Sequence, residues 1–190
     1  KYVQQSNLGS GSLVKLAQVD NSTSSSTVSD ITLDHFSSTY DYYKFYATLA
    51  SDTQGSDWRV RFRDGGSDVT NAYYIYAATN GQINSGGTSA GGVGLAAFFT
   101  DRLDFANDST TSSNQKVVLD WTFSNHSGNA ANRLQLMGNT GYYMANDTLR
   151  TSTFRGFQNN QGSNFYEGFK IYLSSGNIRY YNYTLYGVVK

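Results

Sequence analysis

Groups able to do covalent or metal chemistry are few in this 190-residue chain. There are one glutamate, two histidines and no cysteine, so thiol nucleophiles, disulfides and thiolate metal sites are excluded together. Cleavage of a glycosidic bond uses two carboxylates at a set separation. Glu167, in Asn164-Phe165-Tyr166-Glu167-Gly168, has no acid two or four residues away. Only an aspartate pair is left for that work, which makes a polysaccharide depolymerase the weaker alternative. His35 follows Asp34 and His126 lies far from both, a spacing that reads as surface or turn residues. Two histidines so placed also make a poor metal site. Asp64-Gly65-Gly66-Ser67-Asp68 and Asp101-Arg102-Leu103-Asp104 are candidate calcium loops, with Asp64 and Asp68 the first ligands to test. Neither has the spaced oxygens of an EF-hand, and an aspartate capping its own turn accounts for the first. The glycine runs at 86–94 lack a following lysine and a βαβ context, so no cofactor is expected.

Recognition is better served than catalysis. Arg59, Arg61 and Arg63 share one face of a strand. They suit an acidic polysaccharide or a neighbouring subunit, while the ordinary reading sends them to aspartates on adjacent strands. Tyrosines cluster at 73–76, 142–143 and 180–183, and a period of two turns half of them away from a core. Tyr74, Tyr76, Tyr142 and Tyr181 are the candidates for stacking on a sugar face or anchoring a protein interface. Fourteen basic residues balance fourteen acidic ones, so no pull toward nucleic acid or an anionic membrane is expected. No apolar stretch is long enough to span a bilayer, and Lys1 opens no basic-then-apolar leader. The five Asn-x-Ser/Thr sequons are no more than composition gives by chance.

Strands must position these residues. Thirteen of the fourteen acids are aspartate, which favours turns where glutamate favours helices. Trp58-Arg59-Val60-Arg61-Phe62-Arg63 alternates without a break, as do Tyr43, Phe45, Ala47 and Leu49, and Val117, Leu119, Trp121 and Phe123. Trp58 and Trp121 are therefore expected in the core. Phe169, Ile171 and Leu173 lead through Ser174-Ser175-Gly176-Asn177 into Ile178, which reads as a hairpin. Further strands are expected at 31–36, 72–78, 98–105, 133–137, 142–145, 152–158 and 178–189. Residues 89–99 carry too many glycines for a helix, and Gly86-Gly87 with Gly91-Gly92-Val93-Gly94 read as a loop crossing between sheets. The total is an all-β, two-sheet antiparallel sandwich with little or no helix. Residues 1–30, with a short strand at 13–19 and a Ser/Thr linker at 21–29, read as an N-terminal arm, and 31–190 as the sandwich. The absence of proline has no physical account in the sequence.

Two segments carry a family resemblance. One joins Tyr40-Asp41-Tyr42-Tyr43-Lys44-Phe45-Tyr46 to the strand 58–63 and its Asp64-Gly65-Gly66-Ser67 loop. The other runs from Gly168-Phe169-Lys170-Ile171 through Ser175-Gly176-Asn177-Ile178 to Leu185-Tyr186-Gly187. Together with the opening Gly11-Ser12-Leu13-Val14-Lys15-Leu16, they resemble structural proteins of tailed bacteriophages, especially those of marine hosts. The resemblance implies a concanavalin-like jelly roll used as a head or tail appendage, decoration protein or fibre subunit at the virion surface. It also implies a non-enzymatic role, self-association as a homotrimer, contact with other virion proteins and contact with host surface carbohydrate. A free lectin-like module is the alternative.

Overall fold

The computed structural model describes residues 11–21, 26–71, 74–83, 89–107, 116–124, 134–144, 148–158 and 166–190. Thirteen strands and no helix are found among them: β1 (Leu13–Asn21), β2 (Asp30–Leu33), β3 (Tyr40–Ser51), β4 (Trp58–Asp64), β5 (Ser67–Asp68), β6 (Tyr74–Ile83), β7 (Ser89–Thr100), β8 (Leu103–Ala106), β9 (Val117–Ser124), β10 (Gln135–Tyr143), β11 (Leu149–Gln158), β12 (Gly168–Leu173) and β13 (Ile178–Val189). They form two antiparallel sheets. The larger has the order β1-β13-β3-β9-β10-β11-β6-β7, and the smaller β2-β12-β4-β5 with β8 also paired to β4. The expected all-β sandwich is present.

Alternation builds the layers. On β4, Trp58, Val60 and Phe62 are buried while the arginines between them reach the outer surface. On β9, Val117, Leu119, Trp121 and Phe123 face inward. The inner faces meet in an aromatic core. Phe123 stacks on Phe169 with ring centroids 4.4 Å apart, and Phe105 meets Trp121 edge-on at 4.6 Å. Such pairs add about 0.5–1.5 kcal/mol each beyond the area they bury. Trp58 and Trp121 are both fully buried. The Trp121 indole N–H donates to the Thr140 hydroxyl at 3.2 Å, whereas that of Trp58 has no partner.

Four sequence expectations are corrected. The strand at 13–21 is not part of a separate arm, because β1 pairs with β13 along its length as an edge of the larger sheet. Residues 89–100 are a strand, paired with β6, although glycine and alanine blur their alternation. Strands expected separately at 133–137 and 142–145 are one continuous β10. The turn at 174–177 does not close a hairpin, since β12 lies in the smaller sheet and β13 in the larger. It is a crossing between layers. Gly176 there has a positive φ of 76°, and the Asp52 carboxylate accepts from the Asn177 backbone N–H at 2.7 Å and from its side-chain amide at 3.1 Å.

Candidate binding cleft and outer faces

The arginine ladder on β4 is matched within its own chain. Arg59 donates from Nε to Asp104 Oδ1 at 3.1 Å and lies 3.6 Å from Asp57. Arg61 pairs with the Asp101 carboxylate and also donates to the Asp101 carbonyl at 3.0 Å. Arg63 bonds Asp34 and Asp68, each at 2.7 Å, and the Gly66 carbonyl at 2.6 Å. Arg102 joins the network through Asp101 at 2.6 Å and Asp104 at 3.1 Å. Partial burial opposes the ionised form of Asp101. Hydrogen bonds and attraction from Arg61 and Arg102 outweigh it, so that carboxyl is held below its ordinary pKa. The sequence named Arg59, Arg61 and Arg63 as contact candidates for an acidic glycan or a neighbouring subunit, with pairing to aspartates as the ordinary reading. The structure engages each guanidinium with an aspartate of the same chain, as the ordinary reading has it.

Of the calcium candidates, Asp68, Asp101 and Asp104 are each paired with a side-chain cation. Asp68 receives both Arg63 and Lys170, and Asp64 also has interactions of its own. No cluster of three acidic or histidine side chains suited to a metal exists among the described residues. Glu167 accepts from the Gly66 backbone N–H at 3.1 Å, so the single glutamate braces the β4–β5 turn. His35 is exposed; His126, Tyr73 and the sequons at Asn125 and Asn146 lie outside the described residues. Gly87-Thr88-Ser89-Ala90-Gly91 has the spelling of a nucleophile elbow. Ser89 nonetheless opens β7 rather than a strand-to-helix turn, which removes the strained geometry that motif needs.

The tyrosine candidates divide. Tyr74 is fully buried, and its hydroxyl accepts from the Phe62 N–H at 2.9 Å and donates to the Val69 carbonyl at 2.8 Å. Burial pushes its phenol well above the ordinary value. Tyr142 is also buried, with its hydroxyl donating to Asn107 Oδ1 at 3.0 Å. Both are corrected as freely exposed contacts, because their positions share parity with the inward residues of β6 and β10. Tyr181 is half-buried against the core opposite Leu49. Tyr76 is half-buried beside Phe154 at 5.6 Å, and it lines a cleft.

That cleft, about 220 Å³, lies where the smaller sheet stops at β8 and the larger one continues beneath it. Its floor is the inward face of β6, β10 and β11, through Tyr76, Ala78, Asn80, Tyr142 and Ser152. Its wall is β8 with Asn107, and Asp57 on the approach to β4. Asn80 is only 5% exposed and lies across from Ser152 on the β6–β11 ladder. The buried Ser152 hydroxyl is without a hydrogen-bond partner among the described residues. Asn107 accepts from Arg150 at 3.1 Å as well as from Tyr142, and Arg150 donates to Gln82 at 3.1 Å, so this side of the wall is held in place. Sequence reasoning missed Asn80, Asn107 and Ser152. The available signal was a polar residue at an inward position of an otherwise apolar alternation, clearest in Tyr74, Tyr76, Ala78, Asn80.

The outer face of the larger sheet has a different character. Tyr42, Tyr46, Val118, Met137 and Tyr143 are exposed there, Val118 by 53%. They are spread among Thr48, Asp120, Thr122 and Asn139 on neighbouring strands. Tyr46 meets Tyr186 edge-on at 6.4 Å.

No protein-family model matches the chain, and no curated protein matches it. Among solved structures, one from the infectious bursal disease virus Gt strain aligns at 11% identity with a TM-score of 0.09, over 95% of this chain. The chain spans 40% of that protein's length. A likeness this weak carries no argument about fold or function.

Proposed function

We propose that the chain is a non-enzymatic structural subunit of a bacteriophage particle that assembles through the outer face of its larger sheet. The supporting observation is the contrast between the two outer faces. The smaller sheet presents arginines and aspartates that satisfy one another, a surface at ease in water. The larger presents exposed tyrosine, valine and methionine, and interface cores are enriched in aromatic residues and methionine. The phage assignment itself rests on the resemblance of the 40–67 and 168–187 segments. Peptide mass mapping of purified particles tests it, and a chain missing from every particle fraction overturns it. Light scattering tests the assembly: oligomers, a trimer foremost, are expected at micromolar concentration, and a stable monomer refutes the interface. The cleft supports a second reading, contact with host surface carbohydrate, because it combines aromatic rings with a buried hydroxyl, that of Ser152, that lacks a partner among the described residues.

A further inference from the structure

We infer that the cleft past β8 is a binding site for a single neutral sugar ring, with Asn80 as its central hydrogen-bonding group. This deepens the carbohydrate reading and stands apart from assembly. A buried hydroxyl without a partner costs free energy that folding normally avoids, and the unmet Ser152 hydroxyl on the cleft floor calls for an explanation. Asn80, nine-tenths buried, stands across from Ser152 on the same floor. It offers two donors and one acceptor, which is what adjacent ring hydroxyls, each both donor and acceptor, can satisfy together. Tyr76 and Phe105 supply apolar ring surface at the same place, suited to the C–H face of a pyranose.

Size and charge narrow the ligand class. The volume of about 220 Å³ is below the roughly 300–1,000 Å³ of drug-sized clefts, so one ring or a chain-terminal residue fits. The charged groups lining the cleft are two carboxylates, Asp57 and Asp104. Among the described residues no basic side chain lines the cleft to hold an acidic sugar, and the carboxylates can accept from hydroxyls. Both are already paired with Arg59, so they offer little to a cation. The nearby Arg150 guanidinium is taken by Gln82 and Asn107.

Saturation-transfer NMR on the full chain tests this with methyl glucoside, methyl galactoside and N-acetylglucosamine, beside glucuronate as the charged probe. Transfer to at least one neutral sugar is expected, with affinity falling at least tenfold in Asn80→Ala and unchanged in Thr153→Ala on the outer face. A thermal melt of each variant establishes that it is folded, and a shift of the Asn80 side-chain amide on adding the sugar gives an independent readout in the unmutated protein. Transfer that survives Asn80→Ala, or a preference for glucuronate, overturns this site while leaving the carbohydrate reading standing. No transfer to any of the four sugars overturns both.

Discussion

Tyr74 shows what one hydroxyl does at the boundary of a sheet. β8 pairs with β4 only as far as Val60, and beyond it the Phe62 N–H finds the Tyr74 oxygen instead of a strand. Replacing Tyr74 with Phe keeps the ring against Phe62 and strands a buried donor. A loss of about 1–3 kcal/mol in denaturant unfolding is expected, and no loss would mean that the hydroxyl is dispensable. Trp58 and Trp121 are both buried, so alanine at either is expected to cost about 3–5 kcal/mol. A Trp58→Ala protein that melts normally would remove Trp58 from the core account. Asp101 gives a pH test with a definite sign. Its folded pKa is below its unfolded one, so its contribution to stability is complete above the ordinary carboxyl pKa of about 3.9 and is lost as pH falls through the folded value. Carboxyl NMR should place its midpoint below 3.9 and return it toward that value in Arg61→Ala. A midpoint at the ordinary value in the unmutated protein would rule the pairing out.

Glycines decide two elements where periodicity is silent. Gly138-Asn139-Thr140-Gly141 has the composition of a turn, which is why β10 looks like two strands in the sequence. In the fold Gly138 faces inward opposite Trp121. A Cβ there would lie 2.1 Å from the Asp120 carbonyl oxygen and 2.8 Å from the indole Cδ1. The glycine makes room for the tryptophan without interrupting the strand. Gly176 matters for its backbone: the residue has positive φ, and a Cβ would meet the Thr53 hydroxyl at 1.9 Å. Gly176→Ala is expected to lose more than the roughly 1–2 kcal/mol of left-handed strain, measured by thermal melting, and a neutral result would show that the crossing relaxes. β3, β4, β9 and β12 were legible because large apolar and polar residues alternate in them. β7 was not, because Gly91, Gly92 and Gly94 offer no side chain to alternate. The cleft was illegible for another reason: alternation gives parity within a strand, but not where the opposite sheet stops.

At the scale of the molecule the sandwich is lopsided, with eight strands facing five, and exposed tyrosine, valine and methionine gather on the outer face of the larger sheet. The extra width of the larger sheet opens the cleft, and its outer face is the proposed contact between copies. Tyr46→Lys combined with Val118→Lys adds charge at two exposed positions of that face. The double variant is expected to melt within about 0.5 kcal/mol per site of the parent and to remain monomeric when the parent associates. Association unchanged by both substitutions would place the contact elsewhere.

The pairing of β1 with β13 has a mechanical consequence. Leu13 lies across from Val188, and the rungs run on from there to Asn21 opposite Tyr181. The two ends of the sandwich therefore leave from one corner. A load pulling those ends apart acts across the ladder and breaks its hydrogen bonds one rung at a time, from Leu13 inward. Force applied there peels rather than shears, so β1 yields first under modest tension while β3, β9 and the aromatic core stay closed. Anchored at both ends, the domain would behave as an extensible joint whose first stretch is a zipper of one strand.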